Sequence, residues 1–508
     1  MQAPPRAPVD DMTPPDAAST SSVAEHASRG YRSTLWTQLT RVACKAVSVL
    51  VLARLLTPAE HGLYAMAASV FLFLFLFRDL NLSTAAIQIA TLRDEQRHAL
   101  LWAHVGLGAV LALVTVFIAP AAAHFYAARE VRDLLAIMGM AFVFIGCGGL
   151  PRSLLARELR FGELNFIESA SAVFGTMAAI AAAWAQAGAY AFVVYLLVSE
   201  AVTTALAWRA FGWSRFAAPK WVSLQPLFRA GRELTSYHAL NYVLNQVDTF
   251  AIGRVLGAGP LGFYNRAGQL LGLTNLHLAS PLANIDLAAL SRLVTQPEAF
   301  RRQARGTSSM IGYLTLPLLA ICVALPDDIV RLVLGAQWPD AAPVLRWSAV
   351  SVALFAASRL AYSINVAVGE TRRLTHTVVA SMPFTFAAVG LGLRGGAAGV
   401  ALALAIVNLA LTGPRLWWML RDSPLGMRGY LDSLLGPSVA ALVFGGTLGG
   451  LAHVARDLSW LPRIFLATAA GVAAVALLSA AWPRLRREIR EVGRHLPGAA
   501  VFRRPPSL

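Results

Sequence analysis

The chain has 508 residues, of which 57% are hydrophobic and only 14% are charged, and its mean hydropathy is +0.58. A soluble protein carries about 25% charged residues, so this composition excludes an ordinary soluble enzyme or binding domain. The apolar residues come in runs of about 20, the length with which a helix crosses a membrane, rather than in the short alternating segments of a membrane β-barrel.

The sequence therefore predicts an all-α polytopic membrane protein with about 14 transmembrane helices. Residues 1–33 are rich in Pro, Ala and Ser and contain no apolar core. They predict a disordered cytoplasmic tail rather than a secretory signal peptide. In chain order, the predicted spans are 35–56, 63–80, 99–120, 134–150, 166–185, 189–208, 234–256, 263–285, 308–325, 344–365, 374–393, 397–418, 435–453 and 463–482.

Two stretches repeat one helix–turn–helix joint at an offset of 200 positions. The first joint, residues 53–67, reads ARLLTPAEHGLYAMA, and the second joint, residues 253–267, reads GRVLGAGPLGFYNRA. The offset covers about six spans, an even number, so the halves are parallel pseudo-repeats related by an axis along the membrane normal. The predicted domains are a six-helix bundle at 34–208, a cytoplasmic linker at 209–232, a second six-helix bundle at 233–420, two further helices at 421–482, and a basic cytoplasmic tail with an amphipathic helix at 483–508.

The net charge of +16 is explained by topology rather than by nucleic-acid binding. If both termini lie on one side, most of the 43 Lys and Arg residues fall on that side. The positive-inside rule then makes that side cytoplasmic. The opposite loops hold only Arg129, Arg132, Arg331, Arg394, Arg456 and Arg463.

Two equivalent spans, the first of each half, carry a row of polar side chains at helical spacing. Such a face is costly against lipid, so it is expected to point into the bundle or into water. Span 1 places Gln38, Arg41, Lys45 and Ser48 on one face, and span 7 places His238, Asn241, Asn245 and Asp248 on one face.

Polar contacts between helices explain the Asn and Ser residues of these faces, but two cations one turn apart repel each other. Arg41 and Lys45 therefore indicate an anionic partner that carries phosphate or carboxylate. Asp248 either pairs with one of these cations or binds a coupling cation or proton, and the sequence leaves this open. Snorkelling to the membrane surface is an equally good explanation of Arg54 and Arg254.

Known catalytic motifs do not carry over to this chain. Residues 390–395, GLGLRG, match GxGxxG but lack a surrounding βαβ unit, and neither a P-loop nor HExxH nor a nucleophile elbow occurs. Asp327 and Asp328 resemble an acidic metal pair, but they open an amphipathic stretch. The sequence therefore predicts neither an enzyme nor a metal site nor a bound cofactor.

Seven segments resemble the Wzx-type oligosaccharide flippases of bacterial polysaccharide export, within the superfamily that also holds the multidrug-and-toxin extruders. The resemblance covers roughly residues 30–420, and the strongest match is NQVDTFAIGRVLGAGPLGFYNRA at 245–267. Tyr190 and Ala289 depart from the family pattern, where Trp and Pro are usual. The other segments are LARLLTPAEHGLYAMA (52–67), RDLNLSTAAIQ (78–88), PRSLLARELRFGELNFIE (151–168), GAYAFVVY (188–195), AALSRL (288–293) and LGAQWPDAAPVL (334–345).

The resemblance implies that the chain moves an undecaprenyl-pyrophosphate-linked oligosaccharide across the bacterial inner membrane by alternating access. It also implies that the polysaccharide polymerase and chain-length machinery act beside it. The pyrophosphate then supplies the anion that the span 1 face requires, and Asp248 remains the candidate for proton or sodium coupling. The expected substrate-binding residues are Gln38, Arg41, Lys45, Arg54, Asn241, Asn245, Arg254 and Arg266.

Two other functions remain open from the sequence. A cation-coupled multidrug exporter of the same superfamily is one, although the extruders usually have about 12 spans and the basic face here does not suit a cationic drug. A membrane-embedded glycan polymerase or glycosyltransferase is the other. It would need a catalytic carboxylate in a sizeable outer loop, and the longest such loop, 326–343, offers only three aspartates.

Overall fold

The computed structural model of the protein describes residues 37, 40–79, 83, 93–212, 241–274 and 280–495. Within these ranges every regular element is a helix, which confirms the all-α membrane fold. Nine of the described helical segments are long and apolar enough to cross a membrane, and one of them, Arg372–Leu420, contains two helices joined by a 3₁₀ turn. The count of about 14 remains a prediction. The tail 1–33 and most of the linker 209–232 lie outside the described residues.

The first half of the chain forms six helices that alternate in direction. Short turns connect most of them, so consecutive helices pack side by side as antiparallel neighbours. They are α1 (40–55), α2 (Pro58–Phe75), α3 (Asp94–Tyr126), α4 (Glu130–Arg157), α5 (Phe161–Trp184) and α6 (Tyr190–Phe211).

The second half repeats this alternation and adds helices at its end. The equivalent of α1 contains a turn at Gln246, so it consists of a short helix, 241–245, followed directly by Val247–Leu256. We treat both pieces as α7. The remaining helices are α8 (Ala258–Thr274), α9 (Ser280–Leu293), α10 (Pro297–Ala324), α11 (Pro326–Val333), α12 (Ala341–Val368), α13 (Thr371–Gly392), α14 (Gly396–Leu420), α15 (Gly426–Val454), α16 (Trp460–Ala481) and α17 (Pro483–His495).

The start of α2 is fixed by its local sequence, TPAE. The Thr57 hydroxyl accepts a hydrogen bond from the backbone N–H of Glu60, and the Glu60 carboxylate accepts one from the backbone N–H of Thr57 at 2.7 Å. Pro58 occupies the first turn, where its missing N–H has no helical partner to lose. In the second joint the break before α8 falls instead at Gly257, whose φ of +86° favours glycine.

The two halves exchange core residues at one end of the bundle. Val49 and Ala53 of α1 are buried in an apolar cluster built mainly by α8, α10, α12 and α14. Reciprocally, Ile252 of α7 and Leu261 of α8 are buried in a cluster built mainly by α2, α3, α4 and α6. We call this end, which holds both joints, the joint end, and the opposite end, where α1 begins and α16 ends, the terminus end.

Candidate functional site

The two joints meet through a reciprocal pair of glycines. A Cβ added at Gly62 would overlap the backbone of Ala258, with the Ala258 Cα only 2.9 Å away, and a Cβ added at Gly262 would overlap the carbonyl group of Pro58. Real Cβ atoms essentially never come within 3.0 Å of another heavy atom. Glycine is therefore required at both positions. Gly62 of the first joint packs against the start of α8, and Gly262 of the second joint packs against the start of α2.

Side chains from the loop before α12 reinforce this contact. Trp338, which is fully buried, donates its indole N–H to the carbonyl oxygen of Ala53 at 2.7 Å. The side-chain amide of Gln337 donates to the same carbonyl and to that of Leu56 at 3.1 Å. These bonds satisfy carbonyl groups that the end of α1 leaves without helical partners. The joint end of α1 is thus held by the second half of the chain.

Arg266 is buried between the halves, and it forms no ion pair with an acidic side chain of the described residues. It is 3% exposed, and its guanidinium contacts the neutral groups of Gln269, at 2.8 Å, and His61. The His61 Nδ1 donates to the carbonyl oxygen of Thr57 at 3.0 Å, so its Nε2 accepts from Arg266. Phe192 lies 5.5 Å from the guanidinium, and the Arg266 Nε is buried without a hydrogen-bond partner among the described residues. Burying a cation among neutral groups costs free energy. This cost favours separation of the two halves at this contact.

The basic face of α1 lies at the terminus end. The Arg41 guanidinium donates to the Glu168 carboxylate of α5 at 2.8 Å, and the two side chains are 49% and 41% exposed. Lys45, one turn further along, is also exposed. Gln38 lies outside the described residues. An ion pair as exposed as this one contributes about 0.2–1 kcal/mol, so an incoming anion can displace Glu168.

The polar face of α7 divides into two parts. Asn245 donates through its side-chain amide to the backbone carbonyl of Asn241 at 2.8 Å and to the Asn241 side chain. The Asp248 carboxylate accepts from the Tyr264 hydroxyl at 2.5 Å and from the backbone N–H of Thr249 at 2.8 Å. In this state Arg41 binds Glu168, while Asp248 accepts from Tyr264 and Thr249. The role of Asp248 remains a prediction.

The remaining expected binding residues lie far from Arg41. The Arg54 guanidinium donates to the backbone carbonyl of Leu332 in α11 at 3.1 Å, and Arg254, its counterpart in the second joint, is exposed. Arg54 lies thirteen positions after Arg41 on the same helix, which corresponds to a distance of about 20 Å. Of the eight expected residues, the described ones therefore fall into two groups, Arg41, Lys45, Asn241 and Asn245 toward the terminus end and Arg54, Arg254 and Arg266 at the joint end.

A further charged group lies beside Arg41 in the first half. Glu200 of α6 is within electrostatic range of Arg78 and Arg152, and Tyr195 is within range of both Arg41 and Glu200. The Glu200 Oε2 is buried and lacks a hydrogen-bond partner among the described residues. The sequence did not predict that these three residues lie together, because only the fold brings Arg78, Arg152 and Glu200 within range of one another.

The acidic pair at 327–328 has a structural role. The Asp328 carboxylate is nearly buried and accepts two hydrogen bonds from Arg463 of α16, one of them at 2.9 Å. This ion pair ties α11 to α16 at the joint end.

Comparison with known proteins gives a consistent family and fold. Residues 51–343 match the model of a family described as polysaccharide biosynthesis protein. The lipopolysaccharide biosynthesis protein WzxC of Escherichia coli is 25% identical over 59% of this chain and 61% of its own length. The succinoglycan biosynthesis transport protein ExoT of Rhizobium meliloti is 26% identical over 81% of this chain and 84% of its own. Among solved structures, the lipid II flippase MurJ in its inward closed conformation has a TM-score of 0.66 and 13% identity, covering 88% of this chain and 98% of that one.

Proposed function

Because the chain belongs to the polysaccharide biosynthesis protein family, we propose that it is a flippase that carries lipid-linked oligosaccharides across the bacterial inner membrane. The relatives named for lipopolysaccharide biosynthesis and for succinoglycan transport support this cargo class. The undecaprenyl-pyrophosphate carrier, the polymerase and chain-length partners, and the cytoplasmic position of both termini are part of the proposal.

The observation that carries the proposal is the exposed basic face of α1 at the terminus end, opposite the closely packed joints. At the joint end Leu52, Ala53 and Ile252 are fully buried, whereas at the terminus end Arg41, Lys45 and Asn245 are exposed. Exposed cations at the start of a membrane helix point to a hydrated space rather than to lipid. The halves are therefore closed against each other at the joint end, and the cargo has access from the terminus end.

In this state the pyrophosphate of the cargo binds Arg41 and Lys45. Its oxygens replace the Glu168 carboxylate on the Arg41 guanidinium, which offers a planar set of donors, while Lys45 supplies a second positive charge. Asn241 and Asn245 stand on the facing half and donate to sugar or phosphate oxygens. This binding breaks their mutual hydrogen bond and couples cargo to both halves.

The joint-end residues act in the other half of the cycle. Opening of the joints hydrates Arg266 and removes the desolvation penalty of its burial, and it brings Arg54 and Arg254 beside the opening. Three guanidinium groups then receive the pyrophosphate as it leaves Arg41 and Lys45. Asp248, held by Tyr264, is the candidate for a coupling proton or sodium ion.

The double variant Arg41→Gln/Lys45→Gln is expected to reduce polysaccharide export about tenfold, since it removes both cations from the cargo site and leaves hydrogen-bonding side chains of similar size. Surface polysaccharide is measured in a strain whose own copy is deleted and which expresses the variant. Immunoblotting of membranes establishes that both proteins are inserted at equal levels.

Arg129→Gln/Arg132→Gln is the matched control for that variant. It removes two exposed cations at the joint end, one from the residue before α4 and one from the first turn of α4. Export at the wild-type level by this control, together with the loss in the first variant, supports the cargo site. Equal export by both variants contradicts it.

Glu168→Gln is expected to tighten binding of undecaprenyl pyrophosphate about 1.5- to 5-fold, because it removes the carboxylate that competes for Arg41 and a half-exposed pair is worth about 0.2–1 kcal/mol. Titration of detergent-purified protein, followed by tryptophan fluorescence, gives the dissociation constant. Glu158→Gln removes an exposed carboxylate that pairs with Arg160, outside this face, and leaves the constant unchanged. Weaker binding by Glu168→Gln would mean that Glu168 orients Arg41 for the cargo.

A further inference from the structure

A large, half-open cavity lies at the terminus end of the second half, away from α1 and α7. It has a volume of about 1190 Å³ and is lined by the first half of α10, the end of α9, α15 at Asp432 and Ser433, and α17. This exceeds the ~300–1,000 Å³ of typical small-molecule sites. The space is therefore large enough for a ligand well beyond a single ion.

Arginine is the most frequent residue in the lining of this cavity. The acidic groups Asp432 and Glu488 are already engaged, because Arg484 donates to Asp432 and to Glu488, each at 2.9 Å. These hydrogen bonds raise the pKa of Arg484 above its usual value. Four further arginines line the cavity, and all four are exposed: Arg301, Arg302, Arg305 and Arg487.

The arginines exceed the acids that remain to balance them. Glu298 is the other carboxylate in the lining, and it is exposed. The Arg301 Nε donates to the backbone carbonyl of Pro424 at 2.6 Å, and the Arg305 guanidinium packs against Gly429. Arg305 also lies within electrostatic range of Asp432. Five arginines nevertheless face three carboxylates in the lining, so the cavity has a surplus of positive charge suited to an anion.

The α17 wall of the cavity is fixed to the bundle. Leu485 is fully buried, and Glu488 accepts a hydrogen bond from the Tyr313 hydroxyl of α10 at 2.7 Å. A Cβ at Gly436 of α15 would overlap both the Glu488 carboxylate and the Tyr313 hydroxyl, so glycine provides the room for this contact. The cavity is a built site rather than a space beneath a loose tail.

The depth of the cavity matches that of lipid headgroups. Its α17 wall begins at Pro483, two residues after the last spanning helix ends at Ala481. From the cavity along α15, the exposed residues Leu431, Leu435 and Leu442 form an apolar row on one helix face, as an acyl chain would contact. Basic pockets between spanning helices on the cytoplasmic side are typical headgroup sites.

We propose that this cavity binds the phosphate group of an anionic phospholipid, whose acyl chains lie along the exposed face of α15. Arg302, Arg305 and Arg487 bind the phosphate ester of the lipid headgroup. The same three side chains could bind a free phosphate ion. The apolar row beside the cavity favours the lipid. This site is independent of the cargo face on α1.

The test is native mass spectrometry of the detergent-purified full chain, titrated with phosphatidylglycerol, with phosphatidylcholine, or with inorganic phosphate. The wild type is expected to retain phosphatidylglycerol, and the triple variant Arg302→Gln/Arg305→Gln/Arg487→Gln is expected to bind it at least tenfold more weakly. Arg209→Gln/Arg372→Gln/Arg428→Gln, three exposed arginines outside the lining, is the matched control. Its affinity should equal that of the wild type.

Inorganic phosphate separates the two sources of the ligand. If millimolar phosphate fails to displace the lipid, the ligand is the phospholipid. If the wild type binds phosphate and the triple variant does not, the arginines form a phosphate site whose ligand is the free ion. Equal phosphatidylglycerol binding by the triple variant and the wild type, with both proteins showing the same melting temperature, overturns the site. So does equal retention of phosphatidylcholine and phosphatidylglycerol by the wild type.

Discussion

Replacing Gly62 and Gly262 by alanine together is expected to abolish polysaccharide export, with a loss of about a hundredfold. Each new methyl group would overlap backbone of the opposite joint, and backbone cannot rotate away as a flexible side chain does. Overpacking at a single rigid contact costs about 1–3 kcal/mol, so two such sites hold the halves apart at the joint end. The protein can then no longer adopt the state in which cargo binds from the terminus end.

Gly259→Ala and Gly268→Ala, combined in one variant, provide the control. These glycines belong to the same helix as Gly262, but an added Cβ at either would meet no atom within 4 Å. Export by the strain carrying this variant should equal that of the wild type. If the Gly62→Ala/Gly262→Ala variant is inserted at normal levels and also exports normally, the required close contact between the two joints is contradicted.

Arg266→Met is expected to make the protein more stable and less active. The guanidinium is buried among neutral groups, and a methionine of similar length occupies the same space without the desolvation penalty. Replacement of buried ionic groups by well-packed apolar side chains leaves the stability of a protein unchanged or raises it by about 1–4 kcal/mol. Because this gain applies only while the joints are closed, the closed state is favoured about fivefold to several hundredfold and export falls accordingly.

Two measurements test the Arg266→Met expectation separately. The melting temperature in detergent should rise by about 1–4 °C. Amide hydrogen exchange of peptides from 53–67 and 253–267 should slow. Arg394→Met, an exposed arginine at the joint end, should change neither quantity. A lower melting temperature for Arg266→Met would show that the arginine stabilises the closed contact instead of opposing it.

The sequence predicts the membrane class, the helical fold and the parallel repeat, because each follows from local composition or from an offset between two short segments. The start of α2 could also have been predicted from TPAE, since Thr57 and Glu60 are three residues apart on one turn. The reciprocal packing of Gly62 and Gly262 could not, because a repeat shows that two segments are alike but not that they touch.

The site residues were harder to predict for a related reason. The spacing of Arg41 and Lys45 indicated a shared helix face, but the partner of Arg41 is Glu168, which lies four helices away in the chain. Likewise, His61 is the ring next to Arg266, and Gln337 and Trp338 hold the end of α1. Such contacts depend on how helices cross, and helical periodicity within one segment carries no information about that crossing.

The interlocked glycines have a consequence for the origin and change of the chain. The surface that Gly62 and Pro58 present is the same surface that Gly262 and Ala258 present, so the contact is self-complementary, like the two-fold interface of a homodimer. Two copies of one six-helix ancestor could have formed it without any adaptation. Once both copies lie in a single polypeptide, a bulkier residue on one side of the contact requires a compensating change on the other side. Substitutions at two positions 200 residues apart therefore depend on each other.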